Sequence, residues 1–270
     1  CFFSSYKYAT ILEAHSPMNN SVSKQLLNLM DKNHLYKHTV VISDALKNLI
    51  LKSQNIKSDK IVVAHDGADE VVDFDSKVEL KGNTNSLKVG YVGSLYKGKG
   101  IEVIEKLSYE KLENIDFHIV GGLEKDIKYW KENIQNENVF FYGFVSQQNI
   151  SSYINSFDIC LLPNQKIVFT FGAKDNGINI SQYTSPLKMF EYMAHKKAII
   201  VSDLPVLKEV LNEGNSILVD CENVNEWVDA IERLKDSEIR SDLSKKAHED
   251  FIGQYSWKQR AFNLVELVNE

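Results

Sequence analysis

Cysteine, arginine and long apolar runs are all scarce in this chain, and each scarcity excludes something. The three cysteines, Cys1, Cys160 and Cys221, are odd in number and far apart, with no Cys-x-x-Cys or Cys/His metal spacing. That argues against a disulfide framework and a structural zinc site, and a reducing cytoplasm is the expected location. The only arginines are Arg233, Arg240 and Arg260, all near the C-terminal end. An anion bound earlier in the chain must therefore be held by lysine, by backbone amides or by a helix N-terminus. No stretch approaches 18 consecutive apolar residues, so no membrane span is expected. Cys1-Phe2-Phe3-Ser4-Ser5 has neither the basic start nor the apolar run of a signal peptide.

What is present is ordinary for a globular protein: 270 residues, 43% hydrophobic and 25% charged. Lys and Arg total 31 against 37 Asp and Glu, a net charge of −6, which speaks against a general nucleic-acid binder. There is no internal repeat and no low-complexity tract. Short β-branched runs alternate with longer amphipathic stretches. Strands are predicted at 8–13, 39–42, 61–64, 88–92, 116–120, 139–142, 159–162, 198–201 and 216–219. Helices are predicted at 22–30, 44–52, 101–107, 124–133, 150–154, 187–195, 207–211 and 226–234. Several strands are apolar throughout, as when helices cover both faces of a parallel sheet, so the expected class is a doubly wound α/β fold.

Between Asp66 and Ser86 the composition turns to Asp, Glu, Lys, Gly and Asn with little periodicity, which reads as a linker. The expected organisation is a first α/β unit over 1–69, a linker over 70–86, a second unit over 87–250 and a final helix over 251–270. The first unit offers only about three strands, below the usual sheet size, so a partial domain is expected there. The polar stretch 164–182, with Gly172 and Gly177, is long for a structureless loop and reads as a functional lid or a disordered segment.

Three elements carry chemistry. The strand at 88–92 runs into Gly93-Ser94-Leu95-Tyr96-Lys97-Gly98-Lys99-Gly100 and then a helix, which aims backbone amides at an anion. It matches neither the dinucleotide fingerprint nor a Walker A loop, and an ordinary tight turn is an equal reading. The strand at 116–120 also stops at a glycine pair, Gly121-Gly122, and two such ends along one sheet edge mark where open α/β sheets bind ligands. Third, Ser185 is a good N-cap and Pro186 a good first helical residue for a helix that carries Lys188 and Glu191. Glu191 sits among apolar Leu187, Phe190, Met193 and Ala194, and a buried carboxylate needs partners. A ribose diol could supply them, and so could a salt bridge to Lys188 or Lys196. Lys188 reads as secondary to the free amides at 185–188.

These residues carry a resemblance. Gly90 through Gly100, Ile119-Val120-Gly121-Gly122, Phe141 through Val145, Cys160-Leu161-Leu162-Pro163, Ser185 through Ala194, and Val201 through Leu211 follow the order seen in family 4 glycosyltransferases. The likeness covers 87–270, and extends more loosely to Glu13-Ala14-His15 and Ile61 through Asp69. It implies retaining enzymes of the GT-B fold, in which two Rossmann-like domains bind a sugar nucleotide mainly through the second. It implies Lys99 and His15 as catalytic residues, Lys99 on the leaving diphosphate and His15 facing the donor sugar across the cleft. A lone histidine near a strand end is more often an ordinary surface or core residue. For donor binding it implies Gly93, Ser94, Gly121, Gly122, Phe144, Val145, Tyr183, Ser185, Pro186, Leu187, Lys188 and Glu191. No metal and no cofactor are implied.

Two departures stand out. Ser94 occupies the position of the family's diphosphate-binding arginine, and Tyr183 that of the first of two glutamates. The resemblance therefore implies transfer of a sugar from a nucleoside diphosphate donor to a glycan or lipid-linked acceptor, as in bacterial surface polysaccharide synthesis. Its location would be cytoplasmic, at the inner face of the plasma membrane. A noncatalytic nucleotide- or glycan-binding domain is the competing reading. No nucleic-acid partner is expected.

Overall fold

The structure, a computed structural model, describes residues 4–54, 56–169 and 179–269. The N-terminal unit is a parallel three-stranded sheet of β1 (Thr10–Ala14), β2 (Tyr36–Val41) and β3 (Ile61–Val63), paired in that order. Two helices cross between the strands, α1 (Ser21–Asp31) and α2 (Asp44–Ser53). Each begins where a short polar side chain takes up an orphan amide. Asn20 accepts from the Ser23 amide, and Ser43 from that of Leu46. Leu27, Met30, Tyr36, Leu46 and Ile50 fill the space between sheet and helices.

Residues 70–86 carry no helix or strand. Beyond them lies a six-stranded parallel sheet made of β4 (Leu87–Val92), β5 (Ile115–Val120), β6 (Val139–Gly143), β7 (Ile159–Leu162), β8 (Ala198–Ser202) and β9 (Ile217–Val219). Its order is β6-β5-β4-β7-β8-β9. Between the strands run α3 (Ile101–Ser108), α4 (Glu124–Asn133), α5 (Gln147–Asn155) and α6 (Leu187–Ala194), and α7 (Val224–Arg233) follows β9. The period-2 alternation of a strand divides the core in two. Val89, Tyr91, Phe117, Ile119, Ile159 and Leu161 face one helical layer, while Val92, Val120, Cys160, Leu162, Ile199 and Val201 face the other. Since both faces are covered, the strands read as continuous apolar runs. The chain steps outward from β4 to β6 and then resumes at β7 on the other side of β4, so strand order reverses between β4 and β7. That reversal leaves a crevice at the carboxyl ends of the strands.

Two stretches differ from the sequence reading. Residues 207–211 form successive turns rather than a helix, with the Leu207 and Lys208 amides both donating to Leu204 O. Pro205 opens the segment and Asn215 closes it, its side chain accepting from the Asn212 amide. A 14-residue helix, α8 (Ser237–Asp250), stands where none was predicted, capped by Asp236. A turn of π-helix, Phe251–Tyr255, joins it to α9 (Trp257–Asn269). No helix among the described residues is long and apolar enough to cross a membrane.

Charged groups tie the two units together. Glu209, from the turn segment of the second unit, accepts the Asp44 and Ala45 amides at the start of α2 at 2.8 and 2.9 Å. It also bonds His65 at 3.0 Å. Burial would raise its pKa, but these bonds together hold it below the usual carboxylate value. Asp44, His65 and Glu209 offer ligand atoms within 4.8 Å of one another, but both Glu209 oxygens are already engaged by amides. On α9, Arg260 donates to Glu13 at the end of β1 at 2.6 Å and to His65 O at 2.9 Å. The Ala68 amide donates to Tyr255 O and the Trp257 amide to Ala68 O, so the two chain crossings between the units are bonded to each other.

Candidate functional site

At the carboxyl ends of β4, β5 and β6 lies a cavity of about 660 Å³, closed on its far side by the start of α6. Its floor is backbone. Gly121 has φ of +109°, and a Cβ there would stand 2.4 Å from Gly93 O, so two glycine-ended strands meet with no room for a side chain. The loop after β4 is held by groups behind it. The Tyr91 hydroxyl donates to Ser94 O at 2.7 Å, and Trp130 Nε1 donates to Leu95 O at 2.8 Å. The Gly98 amide donates to Glu102 at 3.2 Å. The loop thus presents its amides and Lys99 in a fixed frame.

Two lysines reach the cavity. Lys99 lies 5.2 Å from the Tyr96 ring centroid, and burial pushes its pKa down. Lys188 is more unusual. Its Nζ is shut off from solvent, has no hydrogen-bond partner, and sits 3.9 Å from the centre of the Tyr91 ring. A Cβ placed on Gly93 would come within 3.5 Å of it, so the ammonium lies against the glycine end of β4. Burial holds its pKa well below the usual lysine value, and neighbouring Lys99 pushes the same way while Glu191 opposes. Two cations at a backbone-lined floor, one without a partner, make a site built for an anion. Lys97 is exposed and does not line the cavity.

The helix start differs from the expectation. Pro186, with ψ of 116°, is itself the cap residue, and α6 begins at Leu187. Ser185 does not cap it, and its hydroxyl is buried without a partner. The extended proline backbone shifts the first helical residue onward, so the leading free amides belong to Leu187 and Lys188. In the second turn Glu191 lines the cavity and accepts from Gln147 Nε2 at 3.1 Å. Neither of the lysine salt bridges considered for it forms. Lys188 faces Tyr91, and Lys196 Nζ lies 4.5 Å from the Phe74 ring centre.

Gly93, Ser94, Lys99, Gly121 and Gly122 therefore come together with Phe144, Val145, Pro186, Leu187, Lys188 and Glu191 on one wall. Phe144 stands 82% exposed at the mouth, an apolar ring with nothing over it. Three expected residues lie elsewhere. The Tyr183 side chain packs into the N-terminal core and its carbonyl accepts from Ser43 Oγ at 2.9 Å. Its ring joins the two units instead of facing the cavity. His15 is exposed and bonds Glu13 at 2.9 Å, away from the cavity wall. Ser185 is the third. Of the loop at 164–182, residues 170–178, including Gly172 and Gly177, lie outside the described residues. Its two ends meet as an antiparallel bridge between Phe169 and Asn179. The cavity also gains Tyr96, Asp126 and Gln147, which sequence reasoning did not single out. Gln147 was hidden because Gln147-Gln148-Asn149 has no apolar periodicity, although it directly follows the strand-to-helix turn at 144–146.

Residues 86–237 match the family described as Glycosyl transferases group 1. An uncharacterized glycosyltransferase of Methanocaldococcus jannaschii is 26% identical over 235 residues, covering 82% of this chain and 55% of the relative. The capsular polysaccharide biosynthesis glycosyltransferase CapM of Staphylococcus aureus is 24% identical over 259 residues, covering 87% of this chain and 63% of CapM. The chain thus spans little more than half the length of these relatives. Among solved structures, HepE of Anabaena, crystallised in complex with UDP, superposes with a TM-score of 0.75 at 16% identity. That match covers 99% of this chain and 74% of HepE, and so shows a shared GT-B fold. The chain, with its reversal of strand order and its glycine-floored cavity, belongs to the group 1 glycosyl transferases.

Proposed function

We propose that this chain carries the donor site of a retaining glycosyltransferase, one that moves a sugar from a nucleoside diphosphate to a glycan or lipid-linked acceptor in surface polysaccharide synthesis. The observation that carries the reading is Lys188: a buried Nζ without a partner, beside Lys99, over a floor of backbone. A diphosphate would satisfy both cations and the leading amides of α6 at once. Glu191, in the second turn of the same helix, lies about 6 Å further along the axis at 1.5 Å per residue, suited to a ribose behind the phosphates. Phe144 and Val145 at the mouth would take the base.

In the reaction the bond between the anomeric carbon and the diphosphate oxygen breaks, and the acceptor hydroxyl oxygen bonds to that carbon on the same face. The hydroxyl proton passes to the departing phosphate oxygen. Negative charge grows on the diphosphate as it leaves, and stabilising that charge is the main lever available to the protein. Lys99 and Lys188 together do what an arginine–lysine pair would do, since Ser94 has no charge to offer.

The test is turnover of a panel of sugar nucleotides by the intact gene product, alongside nucleotide binding to the 270-residue chain. Lys99→Ala should lower turnover by about two to three orders of magnitude, the size of a lost charge-stabilising donor. Lys97→Ala should do much less, and equal losses would mean that Lys99 does not act on the leaving group. Binding of nucleoside diphosphates with no transfer by the intact gene product would favour the noncatalytic reading instead.

A further inference from the structure

Asn164 follows Pro163 just beyond the carboxyl end of β7. Only 2% of it is exposed, yet its carboxamide makes no hydrogen bond to any described residue. Oδ1 is shut off from solvent with no donor against it. Asparagine brings two acceptor and two donor sites, and a buried amide that uses none of them is both costly and rare. The residues on either side of it are engaged. A Cβ on Gly100 would collide with Pro163 O, and the Gln165 amide donates to Gly98 O at 3.0 Å. The end of β7 thus packs directly on the loop that carries Lys99, while the polar side chain between those two contacts is left without a partner.

Its place in the sheet says what could satisfy it. The strand order at this edge is β6-β5-β4-β7. Phe144 and Val145 follow β6, Gly121 and Gly122 follow β5, and Gly93 and Lys99 follow β4. A nucleoside diphosphate with its base at Phe144 and its phosphates at Lys99 and Lys188 lies across these three strand ends in turn. Whatever is esterified to the outer phosphate then continues toward the fourth, β7. We infer that Asn164 is a specificity-determining residue that reads the hydroxyls of the transferred sugar. This rests on the reading of the cavity as a nucleoside diphosphate site. A carboxamide suits the task because a sugar hydroxyl both donates and accepts. Oδ1 can take the proton of one hydroxyl while Nδ2 donates to its neighbour, and both bonds form only when the two hydroxyls have the right relative configuration. Being neutral, Asn164 does this without drawing Lys99 off the phosphates, as a carboxylate at the same position would. It also costs the empty chain less to bury than a charge.

The test titrates UDP, UDP-glucose, UDP-galactose and UDP-N-acetylglucosamine into the 270-residue chain and its Asn164 variants. The wild type should favour one of the sugar nucleotides over the others. Asn164→Ala should weaken that one by about three- to tenfold, the worth of one neutral hydrogen bond, and leave UDP unchanged, so that the preference shrinks. Asn164→Leu, which keeps the bulk of the side chain, should show the same selective loss, and it carries the test if the alanine variant does not fold. Equal weakening of UDP and of every sugar nucleotide would assign Asn164 to packing and overturn the inference while leaving the donor site intact. Variants that keep the wild-type preference would overturn it as well. A wild type that binds UDP but treats the sugar nucleotides alike has no sugar reader, and the inference falls on that result too. If the wild type binds none of the probes, the donor-site reading itself falls, and the inference with it.

Discussion

Replacing Lys188 with methionine should strengthen the fold and weaken the function together. The side chain ends against the glycine end of β4, its Nζ closed off from solvent without a partner. A buried polar group left unsatisfied costs about 1–3 kcal/mol, and a charged one more. Methionine keeps an unbranched stem of similar length and ends in an apolar methyl that can rest on the Tyr91 ring. Lys188→Met should therefore raise stability by about 1–3 kcal/mol, and the melting temperature by several degrees at about 2–4 °C per kcal/mol. The same change removes a charged donor from the diphosphate. Loss of one hydrogen bond to a charged group is worth about 1.5–3 kcal/mol, or roughly a tenfold to hundredfold drop in affinity. Calorimetric melting and UDP titration of the two proteins read both effects. A variant that melts lower and binds UDP as the wild type does would refute the reasoning, because it would show Lys188 to be a satisfied structural residue.

Three further outcomes follow from the same geometry. Gly121→Ala should cost about 1–3 kcal/mol for its left-handed backbone and abolish UDP binding, since its Cβ would meet Gly93 O at 2.4 Å; intact binding would show that the floor can yield. His118 is fully buried and near-parallel to Phe140 and Phe157, and burial holds its pKa down to about 4. The unfolded chain thus binds a proton that the fold refuses, so stability is full above about pH 6.5 and falls by up to about 3 kcal/mol as the pH drops toward 4. His118→Phe should flatten that slope in urea melts at pH 7 and 4.5, and an unchanged slope would rule this source out. Glu209→Ala should cost about 1–3 kcal/mol by stripping the acceptor from the start of α2. Because its pKa is lowered, that contribution is present at neutral pH and is lost on acidification below the ordinary carboxylate range, so the variant and wild type should converge in acid.

Much of this architecture is legible in the sequence because the strands announce themselves. Val40-Val41-Ile42, Ile159 through Leu162 and Ala198 through Val201 are apolar on both faces, as a covered parallel strand requires. The helix at 237–250 escapes notice because its apolar residues are few, Ile239, Leu243 and Ala247 at four-residue spacing amid Ser, Glu, Lys and Asp. Its cap, Asp236, was the available signal. The segment at 207–211 misleads in the opposite sense. Leu207, Val210 and Leu211 are spaced as on a helix and all are buried, yet successive turns place them as well as a helix would. At the site, spacing along α6 correctly puts Lys188 and Glu191 on one element but says nothing of what lies opposite. Tyr91 beneath Lys188 and Gln147 beside Glu191 arrive from strands and helices far away in sequence. Tyr183 shows the limit of position by analogy. It precedes α6 by the expected interval, but its ring turns back into the N-terminal core.

The arrangement of charge explains why a chain with an excess of acid can serve an anion. Net charge acts at long range and is screened over about 10 Å, whereas a cavity responds most to the charges on its own wall. There both lysines line one wall, neither forms a salt bridge among the described residues, and Lys99 lowers the affinity of Lys188 for a proton. The empty site therefore holds unfavourable interactions: a desolvated Nζ, two like charges, and the unpaired leading amides of α6. The proposed diphosphate would relieve all of them at once, so discrimination would come from what the fold leaves unsatisfied. The same account explains why Glu191 is bonded to Gln147 and not to a lysine. A Lys188–Glu191 ion pair would stabilise the empty chain but leave neither the cation nor the carboxylate open to the proposed donor. Holding Glu191 on α5 keeps the two ends of the site chemically separate, one cationic and one accepting.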